Sequence, residues 1–267
     1  MNNHHFDRRL QLAIAITESA GQAILKLRET GVLPKAKIHP DGQLKSSVDV
    51  AVEHWILFLL KTYYPNEEVL SEERHGLAKG FTHQGSGYWV VDPIDGTRSY
   101  CEGYEGFCVQ VAYIKNGKPL VAVVHAPALG LTYWAVINGG AYMKRGNATS
   151  KLVLKKRTPF NATYIDSRPA TDGTARILKQ AGANKFLEMG SYGIKICKVA
   201  EGKAGVFLKP GEFKIWDTAP GSLILSEAGG KLSLWDGSEI DYSGKKIYFK
   251  DLVAASGLYH KKMLRYL

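Results

Sequence analysis

The sequence predicts an α+β fold, as one large domain or two closely packed ones, and three observations carry this prediction. Two stretches of helical periodicity lie within the first 65 residues of the 267-residue chain. Apolar strand-like runs joined by tight turns follow from Phe107 to Tyr142. Short strands then alternate with helical stretches after residue 160. The first half is therefore α+β with an antiparallel sheet, and the second half is α/β.

Both helices near the start have recognisable ends. The first is predicted to stop at Gly31, and its residues at helical spacing are Phe6, Leu10, Ala13, Ile14, Thr17, Gly21 and Ile24. The second begins near Ser46, because Ser46 to Asp49 fits a capping box, and Pro65 ends it. Its predicted apolar stripe is Val52, Trp55, Ile56, Leu59, Leu60 and Tyr63.

Turn signals and a change of composition organise the rest of the chain. Hairpin turns are predicted at Lys115–Lys118 and at Asn138–Gly140. The composition changes near Lys151 to Pro159, which predicts two halves, 1–155 and 156–267. In the second half, Trp216 to Pro220 indicates a helix start with Asp217 as the N-cap and Pro220 in the first turn. Glu227 to Gly230 is the glycine stop of that helix, and the short strands are Thr163 to Ile165, Val206 to Leu208, Lys231 to Leu234 and Leu252 to Ala255.

Composition excludes several classes of protein. No window approaches the roughly 18 apolar residues of a membrane span, and the polar start is not a signal peptide. Cys101, Cys108 and Cys197 have neither zinc-type spacing nor an even count, so we expect reduced thiols in a cytoplasmic protein. The net charge of +10 would steer an anionic substrate or mark a nucleic-acid surface. We interpret most of this charge as a solvated face, because the basic runs lack interleaved stacking aromatic residues. A basic RNA- or protein-binding module is the more distant alternative.

The segment from Trp89 to Thr97 is the most informative part of the chain. An apolar strand run ends there in two carboxylates, Asp92 and Asp95, followed by a glycine turn at Gly96. Gly96 lets backbone approach an anion closely, and Gly96 with Thr97 could open a helix whose free N–H groups attract phosphate. Carboxylate oxygens beside an anion-binding turn favour Mg²⁺ between them. The segment predicts metal-assisted chemistry on a phosphate.

Three further acidic positions have both a structural and a functional interpretation. Asp49 fits the capping box, Asp217 fits an N-cap, and Glu72 with its neighbour Glu73 fits an exposed loop. If these carboxylates instead share one pocket with Asp92 and Asp95, their mutual repulsion should raise at least one pKa in the absence of cations. Bound Mg²⁺ would cancel that repulsion and activate water directly. The eight histidines are dispersed and fit no catalytic pattern.

Together these residues resemble the inositol monophosphatase superfamily of Mg²⁺-dependent, lithium-sensitive phosphatases. The run Asp92-Pro93-Ile94-Asp95-Gly96-Thr97 is similar to its core signature, and Trp216-Asp217 followed by Glu227-Ala228-Gly229-Gly230 is similar to its second. The resemblance implies a layered αβαβα sandwich of the inositol monophosphatase/fructose-bisphosphatase type. It places most metal ligands in the half 1–155, and Asp217 with the substrate-selecting residues in the half 156–267.

The resemblance also implies a role for each position. Glu72, Asp92 and the carbonyl of Ile94 would hold one Mg²⁺, and Asp92, Asp95 and Asp217 a second, with a third, weaker ion near Glu72. The Gly96 and Thr97 amides would receive the phosphate. Asp49 would hydrogen-bond Thr97, and Thr97 with Glu72 would orient and deprotonate the attacking water. Glu73 would have a supporting role.

Local features resemble the CysQ-type 3′(2′),5′-bisphosphate nucleotidases within that superfamily. Those features are Glu72 with its flanking loop, Ser167-Arg168, and Ser191 leading to Lys195. Pro210 stands where inositol-type enzymes tend to carry a carboxylate, and the preceding Lys209 suits a second phosphate. Arg168, Ser191, Lys195 and Lys209 are therefore candidate substrate contacts. The alternative substrates are inositol or sugar phosphates, and a homodimer is compatible with the family.

Overall fold

A computed structural model describes residues 3–30, 36–38, 44–74, 87–154 and 162–267. Its helices are α1 (Asn3–Glu29), α2 (Ser47–Tyr63), α3 (Thr97–Cys101), α4 (Asp172–Ala181), α5 (Tyr192–Ala200), α6 (Ile215–Glu227) and α7 (Gly257–Met263). The predicted stop at Gly31 and the predicted boundary between residues 155 and 156 lie outside the described residues, so the division into 1–155 and 156–267 stays a prediction. In the part of the chain that the structure describes, no helix is long and apolar enough to cross a membrane.

A seven-stranded sheet forms the centre of the molecule. Its strands, in spatial order, are β3 (Glu68–Ser71), β4 (Tyr88–Asp95), β5 (Cys108–Lys115), β6 (Lys118–Ala126), β7 (Leu131–Val136), β8 (Gly140–Arg145) and β9 (Ala148–Leu152). Only the β3–β4 pair is parallel among these neighbours. Both predicted hairpin turns are confirmed, with Asn116 and Asn138 at positive φ, as tight hairpins require.

A five-stranded mixed sheet lies in the second half of the chain, and a short ribbon near the start. The sheet order is β11 (Lys185–Glu188), β10 (Thr163–Asp166), β12 (Val206–Lys214), β14 (Tyr248–Ser256) and β13 (Gly230–Leu234). The ribbon pairs β1 (Ala36–Ile38) with β2 (Leu44–Ser46). The four short strands predicted after residue 160 are confirmed as parts of β10, β12, β13 and β14.

Three apolar clusters show how the layers stack. Helices α1 and α2 cover one face of the central sheet, where Ile16, Ile56 and Val111 share a core. Helices α5 and α6 fill the space between the two sheets, and α4 and α7 cover the outer face of the second sheet. Residues of β5 alternate between the first two cores, so this antiparallel sheet is buried on both faces. The predicted αβαβα sandwich is therefore confirmed.

Two details of the helix predictions are wrong. Trp55 and Tyr63 were expected in the apolar stripe of α2, yet 47% and 63% of their surfaces are exposed. The buried face instead includes Asp49 and Glu53, whose carboxylates bind neighbouring polar groups, so that polar residues replace aromatic ones on the inner side.

The start of α6 also differs from its prediction. The helix begins at Ile215, after Lys214 as the N-cap, so that Asp217 is its third residue and Pro220 its sixth. Asp217 still stabilises this end of the helix, because its Oδ2 accepts the backbone N–H of Lys214 at 2.7 Å. The third position points the carboxylate across the helix end toward a pocket.

Candidate active site

A pocket of about 460 Å³ opens where β4, α3, β12 and α6 meet. Four carboxylates that the sequence singled out line it: Glu72, Asp92, Asp95 and Asp217. Ile94, Gly96 and Thr97 line it as well. The structure thus brings together every predicted metal ligand, although they come from three separate parts of the chain.

A β-bulge turns Asp92 and Asp95 to the same side of the sheet. Asp92 is paired with Gln110 and Asp95 with Cys108, so three steps along β4 match two steps along β5. Residues three apart in a regular strand point to opposite faces, and the extra residue cancels that difference. Pro93 is tolerated here because a bulge does not need its missing N–H. The Nε2 atom of Gln110 lies 3.3 Å from Asp92 and 3.2 Å from Asp95.

The turn after β4 depends on glycine. Gly96 has φ of 90°, and a Cβ atom there would lie 2.7 Å from the carbonyl oxygen of Gly106. Thr97 then begins the one-and-a-half-turn helix α3, and its hydroxyl donates to Asp49 Oδ1 at 2.9 Å. The carbonyl oxygen of Ile94 lies 3.0 Å from the same hydroxyl. Gly96 therefore allows Thr97 to sit beside the carboxylates.

Asp49 lies behind Thr97 and does not line the pocket. It is buried, and Ser46 at the start of α2 donates to its Oδ2 through both the backbone N–H, at 3.0 Å, and the hydroxyl. Burial raises the pKa of Asp49, while the hydrogen bonds from Ser46 and Thr97 oppose that rise. The predicted capping box is confirmed, and the same carboxylate also holds the Thr97 hydroxyl.

Glu72 and Glu73 have different surroundings. The backbone N–H of Glu72 donates to Val91 at 3.2 Å, which places its side chain at the pocket. Glu73 is paired with Lys45 at 3.3 Å and does not line the pocket. On either side of the two glutamates, Ser71 and Arg74 both bind the buried carboxylate of Glu53. Glu53 therefore holds the segment that carries Glu72.

Asp95 connects the central sheet to α5. Its Oδ2 accepts the Ser191 hydroxyl at 2.6 Å and the Gly193 N–H at 2.6 Å, and its Oδ1 accepts the Tyr192 N–H at 3.1 Å. These donors form the N-terminus of a helix, where a negative charge is favourable. Asp95 is thus a candidate metal ligand and also the group that anchors α5 to the pocket.

Burial and mutual repulsion raise the pKa values of these carboxylates. Desolvation is the largest cause in each case. The pKa of Glu72 rises to about 8, with Asp217 and Glu73 adding repulsion. The pKa of Asp217 rises to about 7, and that of Asp92 is also raised. We expected at least one raised carboxylate pKa in the absence of cations, and the pKa values of Glu72, Asp92 and Asp217 are all raised.

The donor chemistry of the pocket fits Mg²⁺. Oδ1 of Asp92 is buried, and no described group makes a hydrogen bond to it. A buried carboxylate oxygen without a donor is costly unless a cation compensates it. Hard oxygen donors from several carboxylates are what Mg²⁺ prefers. Across the described ranges, however, no three His, Cys, Asp or Glu side chains stand close enough to hold an ion, so the ligands share a pocket without a preformed centre.

The predicted substrate contacts are less well grouped. Ser191 binds Asp95, as described above. Lys195 is buried under Tyr192 and Phe207, and its ammonium is 2.9 Å from both Asp166 and the Ser167 hydroxyl. Its charge is therefore already engaged by Asp166.

Arg168 and Lys209 lie away from the pocket lining. Arg168 is exposed and lines a neighbouring cavity of about 530 Å³, which shares Arg98 and Gly190 with the pocket. Lys209 is half-buried on β12, next to a bulge. The substrate roles of Arg168, Ser191, Lys195 and Lys209 stay predictions.

The pocket also has lining residues that the sequence analysis missed. They are Arg98, Gly190, Tyr192, Glu212, Phe213, Lys214 and Tyr248. Glu212 is the most informative, because Pro210 had suggested that this wall lacks a carboxylate. The register between β12 and β14 shifts between Lys209 and Glu212, and Gly211 has φ of 82°. The Pro210-Gly211 pair was the available signal for that bulge.

Comparisons with known proteins agree with this geometry. The model of the inositol monophosphatase family matches residues 7–266. The 3′(2′),5′-bisphosphate nucleotidase CysQ of Salmonella typhimurium is 30% identical over 240 residues, which is 90% of this chain and 96% of that protein.

Two solved structures share the fold. Inositol monophosphatase-II from Staphylococcus aureus has a TM-score of 0.79 and 25% identity, covering 96% of this chain and 91% of that one. A structure described as 2′AMP-bound SaIMPase-II has a TM-score of 0.76 and 26% identity, covering 96% and 92%. With a family model that spans nearly the whole sequence and a relative 30% identical over nine-tenths of it, this chain belongs to the inositol monophosphatase family, a family of metal-dependent phosphatases.

Proposed function

We propose that this protein is a Mg²⁺-dependent 3′(2′),5′-bisphosphate nucleotidase that hydrolyses adenosine 3′,5′-bisphosphate to AMP and phosphate. The single observation that carries the phosphatase chemistry is the convergence of Glu72, Asp92, Asp95 and Asp217 on one pocket. The nucleotide substrate is supported by the similarity to CysQ nucleotidases and by the 2′AMP-bound relative. Arg98, Tyr192 and Tyr248 add cationic and aromatic surface that suits a phosphorylated nucleoside.

The predicted ligand sets follow from the residues of the pocket. Glu72, Asp92 and the Ile94 carbonyl would hold one Mg²⁺, and Asp92, Asp95 and Asp217 a second. A third, weaker ion near Glu72 would bring the total to three. When bound, these ions lower the pKa of the attacking water and neutralise the charge of the phosphate. The unpartnered Oδ1 of Asp92 supports the assignment of that residue to both sets.

The side chains around Thr97 orient the reacting water. Because the Thr97 hydroxyl donates its proton to Asp49, its lone pairs remain available to accept a hydrogen bond from water. Glu72 then accepts the proton as the water oxygen bonds to phosphorus and the ester bond breaks, and the alcohol leaves with a proton from solvent. The Gly96 and Thr97 amides, which open α3, would bind the phosphate oxygens. No serine or cysteine nucleophile is required.

The test is phosphate release from four compounds, each with and without Mg²⁺: adenosine 3′,5′-bisphosphate, inositol 1-phosphate, fructose 1,6-bisphosphate and histidinol phosphate. We expect release that depends on Mg²⁺ and is fastest with the nucleotide. Asp236→Asn, at an exposed turn outside the pocket lining, is the control for substitutions of the pocket carboxylates. Absence of release from all four compounds would contradict the proposal.

One observation favours an inositol or sugar phosphatase as the second candidate. The exposed carboxylate of Glu212 lines the pocket and could accept hydrogen bonds from ring hydroxyls. Faster hydrolysis of inositol 1-phosphate than of the nucleotide would support this alternative. In that case Glu212→Gln should raise the KM for inositol 1-phosphate and leave that for the nucleotide unchanged.

A further inference from the structure

Lys214 is a buried cation in the wall of the carboxylate pocket. Only 4% of its surface is exposed, and it is the last residue of β12, directly before α6. It lines the pocket together with Glu72 and Asp217. A lysine is seldom buried unless its charge is compensated, so its position beside several carboxylates needs an explanation.

The electrostatic surroundings of Lys214 point to that explanation. Its side chain lines the same pocket as the carboxylates of Glu72 and Asp217, and opposite charges attract. Its Nζ lies 5.8 Å from the centroid of the Trp216 ring, a geometry that stabilises an ammonium ion. The side chain of Lys214 therefore lies among the candidate ligands.

The backbone fixes Lys214 in this place. Its N–H donates to Asp217 at 2.7 Å, and Lys214 is paired with Tyr248 in the β12–β14 ladder. The next residue, Ile215, donates to the carbonyl of Ile247 at 3.0 Å. These contacts hold the backbone of Lys214 at the wall of the pocket.

Other buried or half-buried lysines near the site bind acids outside the four ligands. Lys45 is paired with Glu73, and Lys195 with Asp166. Lys214 is different, because it lines the pocket together with the four carboxylates. Its single positive charge offsets one of four negative charges, as a weakly bound extra cation would.

We propose that Lys214 is a resident cation of the metal pocket that takes the place of the predicted third, weaker ion near Glu72. The inference rests on the proposed function only in that it requires the pocket to bind Mg²⁺. Lys214 acts as a positioning residue for the carboxylates and lowers the affinity of the pocket for further divalent ions through like-charge repulsion. The wild-type protein accordingly binds two Mg²⁺ ions.

The test measures Mg²⁺ binding directly, by isothermal titration calorimetry in the presence of saturating inorganic phosphate, so that substrate turnover is not involved. Three variants are compared with wild type: Lys214→Gln removes the charge, Lys214→Arg keeps it, and Lys185→Gln is a control at an exposed lysine on β11. We expect Lys214→Gln to tighten the weaker Mg²⁺ binding step about tenfold. Lys214→Arg and Lys185→Gln should stay within about twofold of wild type.

Two outcomes would overturn the inference. One is that Lys214→Gln binds Mg²⁺ with unchanged or lower affinity. The other is that the wild-type protein binds a third Mg²⁺, and this measurement does not depend on the folding of any variant. If Lys214→Gln does not fold, Lys214→Met keeps the aliphatic stem and is read in the same way. Absence of any Mg²⁺ binding by wild type would overturn the metal part of the proposed function as well. If the wild-type protein binds Mg²⁺ with an affinity that does not depend on the charge at position 214, only this inference is overturned and the proposed function is not affected.

Discussion

The floor and the wall of the pocket are built in different ways. The floor comprises Glu72, Asp92, Asp95 and Thr97, at the ends of β3 and β4. The wall comprises residues 212–214 of β12 together with Tyr248 of β14. The floor carboxylates are held by specific partners, such as the three groups of α5 that bind Asp95 and the backbone contact that places Glu72. The wall contains a bulge and exposed side chains, including Glu212.

This difference separates the reaction from the choice of substrate. Hydrolysis requires carboxylates whose positions are fixed to within a fraction of an ångström, and the floor provides them through buried hydrogen bonds. Substrate selection requires side chains that vary from one relative to another without disturbing that geometry. The exposed side chains of the wall, Glu212 and Tyr248, can change in this way because they do not hold the floor carboxylates.

The largest expected effect comes from the floor residue that is assigned to both metal ligand sets. Asp92→Asn should reduce the rate of phosphate release roughly a thousandfold, because a metal ion contributes several kcal/mol of transition-state stabilisation. Its Tm in the presence of a chelator should not fall, because the unpartnered Oδ1 can be replaced by an amide group. Steady-state kinetics and thermal unfolding measure the two effects, and near-normal activity would contradict the metal assignment.

Asp95→Asn is the informative companion to that variant. We expect the same loss of activity with a clear decrease of Tm, because an amide nitrogen cannot accept the hydrogen bonds that α5 donates to Asp95. An Asp95→Asn protein as stable as Asp92→Asn would show that Asp95 does not anchor α5.

A smaller effect is expected at the residue that orients water. Thr97→Val should reduce kcat about a hundredfold, because positioned proton transfer contributes at least that factor, while the KM changes little. Thr97→Ser keeps the hydroxyl that binds Asp49 and should retain most of the activity. Equal activity of the valine and serine variants would exclude Thr97 from the reaction.

The wall should affect substrate preference rather than rate. Tyr248 is 39% exposed and lines the pocket, so it can stack on a nucleobase. Tyr248→Ala should raise the KM for adenosine 3′,5′-bisphosphate about tenfold, because stacking of a base on an aromatic side chain contributes about 1–3 kcal/mol. Tyr248→Phe should match wild type. An equal change of KM for inositol 1-phosphate would mean that Tyr248 does not recognise the base.

The smallest effect is a dependence of stability on pH in metal-free protein. The pKa values of Glu72 and Asp217 are raised to about 8 and about 7, so the folded state holds protons that the unfolded state has already released. Stability therefore falls as pH rises through these values. We expect the Tm in chelator to decrease from about pH 7 to about pH 8.5, and excess Mg²⁺ to remove most of that decrease.

The two buried histidines, His125 and His260, do not disturb this window. Burial lowers the pKa of His125 and of His260 to about 4, so both are neutral in the folded state above pH 7. They are also mostly neutral there in the unfolded state. Asp217→Asn should flatten the decrease of Tm in chelator. A Tm that rises with pH in this range would contradict the raised carboxylate pKa values.

The sequence predicted the floor well, because its signals are local. The capping box at Ser46–Asp49, the glycine turn at Gly96 and the helix stop at Gly229 each depend on a few adjacent residues, and the structure contains all three. The exposure of Trp55 and the position of Asp217 within α6 were not predicted. Both depend on which neighbouring layer packs against the element, and periodicity alone does not contain that information.

The wall could not be predicted from local signals. The bulge at residues 209–212 brings Glu212 to the pocket only through pairing with β14, about 40 positions later in the chain. The substrate role of Lys195 stays a prediction, but its ion pair with Asp166 of β10, 29 positions earlier in the chain, gave no local signal. In both cases the position of the side chain depends on contacts between residues that are far apart in the sequence.

The anchoring of α5 by Asp95 has a consequence for the order in which the molecule can be completed during synthesis. The hydroxyl of Ser191 that binds Asp95 belongs to a residue 96 positions further along the chain. A growing chain therefore contains the carboxylates of β3 and β4 well before the groups that hold Asp95, and Asp217 is added after both. The residues of the pocket are therefore all present only late in synthesis, although the signature at residues 92–97 lies in the first half of the sequence.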